Sequence, residues 1–442
     1  MRVRPFVLAL ASFVVCGVGI WASTAYADLS GRYRFVRNDG SIVEGEVVEE
    51  GDVYVVKVAQ GITVRLRKNE VRDFRKIETE ASRVDTAGDR PRTDKDGAGA
   101  ITDDELTALL GADELGVDNE PDKDVLPALD LNPDGVAQMK AIAATDNVIT
   151  TDHFALVYTS NRETALRLAS RLEAIYRWNY KFAKMLNIEV RRPTHKLEIY
   201  FFGKHEEFMG YSANHGFQEL GVLGFYMPDD NRSAFFDMDT WPPYAGAMER
   251  WKRAAPADRR RLSNWLRRTR DFQNMEVVQH EAAHHIHFNI GIFNSNARPP
   301  RWLSEGLAMM FELPPGSTGA SLGTLNNNRI YQFQTNFASE QFRKSFPLKQ
   351  WILNDEHFFR GGGWSYPVGW AITNYLYRKH RDKFASYMQK IAALDEDKAG
   401  ETLEREKLFE DHFGVVDDKW QEAFFKYNMS LPVIRSQLPP LE

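Results

Sequence analysis

The chain has 442 residues, 43% hydrophobic and 12% aromatic, with a formal net charge of −6 at pH 7. That is ample material for a large core and excludes a wholly disordered chain; about two folded units are expected at this length. Its single cysteine excludes a disulfide framework and leaves histidine and carboxylate as the ligands of any metal site, and no nucleic-acid partner is expected.

Residues 1–27 carry an export signal: Arg2 and Arg4, an apolar run from Phe6 to Trp21, then Ala25-Tyr26-Ala27 before Asp28. The alternative is a membrane anchor formed by an uncleaved N-terminal segment, since the run approaches spanning length. Cys16 lies inside this segment, so a cleaved chain has no thiol. Residues 28–77 change to short alternating strands, Arg32–Arg37, Ser41–Glu49, Asp52–Ala59, Ile62–Lys68 and Val71–Ile77, with turn signals such as Asn38-Asp39-Gly40. Five strands in so short a span predict a small SH3-like β-barrel, either a docking module or a passive appendage.

Residues 78–145 contain no Phe, Trp or Tyr and hold 17 acidic against 6 basic residues. Such a stretch buries too little to order itself, so an acidic disordered linker is expected. Thr102-Asp103-Asp104-Glu105 is a possible helix start within it. Asp130-Leu131-Asn132-Pro133-Asp134-Gly135 imitates a calcium loop, but Ala141 stands where a glutamate is needed. The second unit, 146–442, opens with a strand at His153–Thr159, a long amphipathic helix at Glu163–Leu186 and a strand at Lys196–Phe202. Val222–Met227 and Ser233–Met238 form a strand pair around Asp229-Asp230-Asn231, with the sheet edge expected at about Ser233–Asp237. Nine basic residues against Asp258 between Arg250 and Arg270, with Trp251 and Trp265, mark a solvated helix face or a contact with the cell envelope.

The centre of the chain is Glu276-Val277-Val278-Gln279-His280-Glu281-Ala282-Ala283-His284-His285-Ile286-His287. Four residues turn an α-helix by about 400°, so His280 and His284 lie one above the other and can grip one zinc ion. Glu281, a step round the helix, can then reach a water on that ion. A third ligand is needed. Downstream comes Pro300-Arg301-Trp302-Leu303-Ser304-Glu305-Gly306-Leu307-Ala308, with twenty residues between His284 and Glu305. After Glu312 the chain turns helical: Asn328–Phe337, Leu348–Leu353, Tyr366–Lys379, Phe384–Leu394, Thr402–Phe413 and Asp418–Tyr427.

His280-Glu281-x-x-His284 followed by Trp302-Leu303-Ser304-Glu305-Gly306 resembles the gluzincin-type zinc metallopeptidases. Residues 150–430 are similar to the secreted bacterial proteins grouped as peptidase MA-like, distant relatives of the large zinc aminopeptidase family. The resemblance implies zinc held by His280, His284 and Glu305, Glu281 as general base, and Glu312 as a group behind the ligands. Trp364-Ser365-Tyr366-Pro367-Val368-Gly369 resembles the segment that supplies a transition-state tyrosine, which implies that role for Tyr366. The aminopeptidase strand whose glutamate holds the substrate amine has no counterpart here. His285 and His287 are expected not to bind metal, because a fourth protein ligand would block the water position; His287, near the ligand face, is the one expected to support the ligands.

The fold expected is therefore α+β: a gluzincin-like metallopeptidase domain, with a mixed sheet over an active-site helix and a helical C-terminal lobe, behind the small barrel. The function expected is an exported zinc-dependent peptidase acting on peptide or protein, with envelope contact through residues 250–270 or the barrel. The alternative is an inactive or weakly active zinc-bearing module that binds peptide or cell wall, or an envelope scaffold.

Overall fold

The computed structural model describes residues 32–37, 42–50, 53–59, 62–67, 71–76, 126–217, 222–294, 299–313, 324–394 and 402–434. The export segment, the turn at Asn38, the helix start at Thr102 and most of the acidic stretch lie outside these residues. Among the described residues no helix is long and apolar enough to cross a membrane.

The first unit is one antiparallel sheet of β1 (Arg32–Arg37), β2 (Ile42–Glu50), β3 (Val53–Ala59), β4 (Ile62–Arg67) and β5 (Val71–Lys76). Its order is β4-β3-β2-β1-β5, so the last strand returns to pair with the first. Val47 faces Val56 across β2 and β3, and both are buried. The register shifts between Lys57 and Ala59 and between Val36 and Arg37, where irregular pairing bends a sheet.

The second unit is mixed α/β and begins earlier than the composition predicts. Helix α1 (Pro133–Ala143) falls inside the expected linker, yet its Val136 and Met139 are buried. Asn132 caps it by accepting from the Gly135 amide, and Pro133 occupies the first turn. The calcium-loop imitation is thus a helix start. Asn132 also donates to Glu198 at 3.0 Å, and Arg232 reaches Gln138 at 2.9 Å. A few apolar residues on one helical face suffice once a sheet stands ready to receive them, which an average over an acidic stretch conceals.

That sheet has the order β6-β7-β8-β10-β9, from β6 (Val148–Thr150), β7 (Phe154–Tyr158), β8 (Leu197–Phe202), β9 (Phe225–Met227) and β10 (Arg232–Phe236). Strands β7, β8 and β10 are parallel, while β6 and β9 close the edges antiparallel. Every residue of β7 and β8 is buried, the continuous burial expected of strands covered on both faces. Helix α2 (Arg162–Met185) covers one face and also packs on the helix of the histidine motif. The edge expected at Ser233–Asp237 is internal: β10 has β8 on one side and β9 on the other, so β9 is the edge. Both strands are short and almost wholly buried, and only the pairing order tells them apart.

Helices α3 (His205–Asn214), α4 (Pro242–Arg253) and α5 (Pro256–Phe272) lead on to a π-helical segment, Gln273–Gln279, and then α6 (His280–Asn289), which ends where Gly291 takes φ +87°. The α4–α5 hairpin is the basic stretch. Its Trp251 is buried, donating to Ser263 at 2.8 Å beneath the Arg259 guanidinium, so this tryptophan ties the two helices together rather than facing solvent.

The helical C-terminal part consists of α7 (Arg301–Ala308), α8 (Asn327–Asn336), α9 (Glu340–Ser345), α10 (Leu348–Leu353), α11 (Asp355–Arg360), α12 (Ser365–Lys379), α13 (Arg381–Ala392), α14 (Thr402–Phe413) and α15 (Asp418–Met429). Helices α7 and α12 approach closely because Gly306 and Gly369 face each other's partner. A Cβ on Gly306 would collide with Thr373 Oγ1 and the Gly369 carbonyl. The glycine of each sequence motif thereby brings Glu305 and Tyr366 onto neighbouring helices.

Candidate metal centre

Helix α6 places His280 and His284 one turn apart, and α7 delivers Glu305 to the same point. His280 Nε2 lies 3.1 Å from His284 Nε2 and 3.1 Å from Glu305 Oε2, and His284 Nε2 lies 3.4 Å from that oxygen. All three side chains are buried, and the cluster can hold a metal ion.

The surroundings fix each ligand. His280 Nδ1 meets Glu312 Oε1 at 2.9 Å, leaving Nε2 turned inward. Glu305 Oε1 pairs with Arg301 at 3.0 Å, one helical turn before it, leaving Oε2 for the cluster. Burial works against charge on His280, but hydrogen bonds to Glu305 and Glu312 outweigh it and raise its pKa to about 10. Burial likewise opposes the Glu305 carboxylate, and Arg301 with the two histidines holds it well below the usual range. Carboxylate oxygen and imidazole nitrogens thus converge on one buried point, an arrangement that a proton or a cation shared among them stabilises.

Glu281 is fully buried and accepts the backbone N–H of Tyr226 at 3.0 Å. The contact sets Glu281 against the edge strand β9. Tyr366, near the start of α12, has its ring centroid 6.2 Å from that of His280. The structure therefore gathers His280, Glu281, His284, Glu305, Glu312 and Tyr366 in one region.

His285 faces the sheet: its Nδ1 meets Ser233 Oγ at 3.0 Å and its ring stacks on Tyr226 at 4.7 Å. Burial drives its pKa down to about 3. His287 departs from the role expected of it. It lies between Phe293 and Phe311, and neither ring nitrogen has a hydrogen-bond partner. Seven residues, about two turns, beyond His280 it keeps that side of the helix, and Phe293 and Phe311 close the core around it there. Both histidines are neutral when folded but take a proton below about pH 6.5 when unfolded, so stability falls as pH drops through that range. His287→Leu is expected to stabilise the fold by about 1 kcal/mol, because leaving a buried polar group unpaired costs roughly 1–3 kcal/mol. Metal affinity should not change. Denaturant titration and chelator competition check both, and weakened metal binding would restore the supporting role.

Several participants carry no motif in the sequence. Glu276 sits in the π-helical segment; Arg329, Asn326 and Asn328 sit at the start of α8. Arg329 binds both Glu312 oxygens, at 2.8 and 2.9 Å, and Glu276 Oε2 at 3.0 Å. Burial raises the pKa of Glu276 to about 7 against the opposing pull of Arg329. Gln279 closes a two-hydrogen-bond bridge to the Leu313 backbone, at 2.9 and 3.2 Å. No local pattern marks these residues: Asn326 caps α8 by accepting from the Arg329 amide, as at an ordinary helix start.

Residues 274–395 match the model of a family described as a protein of unknown function (DUF1570). The matched segment is a minority of the chain but contains Glu276, the three candidate ligands, Glu281, Glu312, Arg329 and Tyr366. No curated protein matches the chain.

Proposed function

We propose that the chain is an exported zinc-dependent peptidase of gluzincin type, preceded by a small SH3-like barrel. The observation that carries the reading is the inward triangle of donor atoms, with sides of 3.1, 3.1 and 3.4 Å, beside a buried carboxylate. A tetrahedral ion with ligands at about 2.0–2.1 Å spaces its donors about 3.3–3.4 Å apart, so the triangle suits zinc held by His280, His284 and Glu305. Two nitrogens and one oxygen also match the donor preference of a catalytic rather than a purely structural zinc site.

Zinc so held would supply Lewis acidity at the site. Glu281 takes a proton from the attacking water and delivers it to the leaving amine. The Tyr226 amide restrains Glu281 against the edge strand. Glu312 holds His280 with its inner nitrogen available. Tyr366 donates its hydroxyl to the oxygen of the scissile carbonyl as charge develops there. The β4-β3-β2-β1-β5 order, in which β5 returns to β1, supports the barrel reading.

Cleavage of a mixed peptide library by the purified chain, with and without a chelator, tests the reading. Cleavage that stops on chelation and returns with zinc is expected. A metal-loaded, fully folded chain that cleaves nothing would leave the peptide-binding module. For export, N-terminal sequencing of the envelope or secreted protein should begin at Asp28; a start at Met1 with extraction only by detergent would replace the cleaved signal with an anchor.

A further inference from the structure

The two ligand-bearing helices reach the metal position from different parts of the chain, and something must fix the angle between them. Glu276 lies one turn before His280 on the first, and Glu312 follows the end of the second. Helix α8 holds both. Arg329 donates Nε to Glu312 Oε2 at 2.9 Å and an η-nitrogen to Oε1 at 2.8 Å, a two-point grip on one carboxylate. That η-nitrogen lies 3.0 Å from Glu276 Oε2. Asn326 adds a bond to Glu312 Oε2 at 2.8 Å, and Asn328 one to Glu276 Oε1 at 2.5 Å. The Arg329 guanidinium also lies 5.8 Å from the centre of the Tyr366 ring. Arg329, Glu276 and Glu312 are all buried, so water does not dilute these contacts.

Resting on the zinc reading of the His280–His284–Glu305 cluster, we infer that Arg329 is a positioning residue: it clamps Glu276 to Glu312, thereby sets both ligand helices and His280 for the metal, and seats Tyr366 beside them. A lysine keeps the charge but cannot grip one carboxylate in a planar fork while reaching a second. Bulk neutralisation would tolerate that exchange; positioning would not.

Arg329→Lys is the test, read by metal affinity in chelator competition and by the absorption spectrum of the cobalt(II)-substituted protein, with the melting temperature as folding control. Zinc binding about 10–100-fold weaker is expected, with an altered cobalt spectrum in a folded protein. Peptide cleavage should fall in kcat more than it rises in KM, through Tyr366. If Arg329→Lys does not fold, the charge-matched double variant Arg329→Gln with Glu276→Gln takes its place, with the same expectation. A folded variant with wild-type affinity and spectrum overturns the clamp. Failure of both variants to fold even with saturating zinc also overturns it, by assigning Arg329 to the fold alone. A wild-type chain that binds no metal would overturn the zinc reading and the clamp together, whereas tight wild-type binding with an indifferent Arg329→Lys overturns only the clamp.

Discussion

Glu281→Gln is expected to keep its metal and lose its peptide cleavage. The substitution preserves size and shape and can still accept the Tyr226 amide, so the 3.0 Å contact to the edge strand need not change. What it removes is the proton acceptor. A positioned general base contributes roughly 10²–10⁴ to the rate, and cleavage should fall by at least that much. Because the three donor atoms come from His280, His284 and Glu305, metal content should equal that of the wild type. Tyr366→Phe is the companion measurement: if its hydroxyl meets the oxyanion, kcat should drop by roughly 10²–10³ with little change in KM. Tyr375→Phe, further along the same helix, should behave like wild type. Equal activity in Glu281→Gln and wild type, with metal verified in both, would sink the mechanism. A dead Glu281→Gln beside a normal Tyr366→Phe would keep the peptidase and move the oxyanion donor elsewhere.

The parts of this architecture that the sequence discloses are those governed by local periodicity. The strands β1 to β5 appear within a residue or two of their expected bounds, because period-two alternation and turn residues are local signals. The long helix at Arg162–Met185 and the helices at Leu348–Leu353 and Thr402–Phe413 are equally legible. What resists reading is whatever depends on long-range pairing. Helix α1 is stabilised by Glu198 and Arg232, which lie far along the chain from its cap. The identity of the edge strand is fixed by β10 lying beside β8, a contact that neither strand's own residues encode.

The candidate centre divides in the same way. Ligands spaced four residues apart on one helix leave a pattern, and a glutamate within a tryptophan-leucine-serine-glutamate-glycine run leaves another. Arg329 leaves none, since an arginine one turn into a helix is ordinarily a solvated residue. Only its burial against two carboxylates distinguishes it. His287 shows the converse. Its angular position near the ligand face suggested a supporting role, yet a helix packed on all sides offers an aromatic environment there instead. Angular arithmetic on an isolated helix cannot say what stands opposite.

Glu305→Ala is expected to abolish tight metal binding, and with it a substantial share of the domain's stability. The residue supplies the one carboxylate oxygen in the donor triangle, within 3.1 and 3.4 Å of the two histidine nitrogens. Removing it leaves two neutral donors for a dication, and leaves Arg301 facing an apolar methyl where it had a partner at 3.0 Å. A ligand that binds only the folded state stabilises it by about 4 kcal/mol when present at about a thousand times its Kd. At roughly 2–4 °C per kcal/mol, stripping the wild type with a chelator should lower its Tm by roughly 8–16 °C, and zinc should restore it. The Glu305→Ala protein should melt low in both conditions and show no zinc-dependent shift. His280→Ala and His284→Ala should behave likewise, with His280→Ala also losing its 2.9 Å contact to Glu312, which keeps its bonds to Arg329 and Asn326. His285→Ala is the control on the same helix: it loses the Ser233 contact and some stability, but its zinc-dependent shift in Tm should match that of the wild type. Metal analysis after gel filtration gives the occupancy directly, and full zinc occupancy in Glu305→Ala would remove this residue from the ligand set.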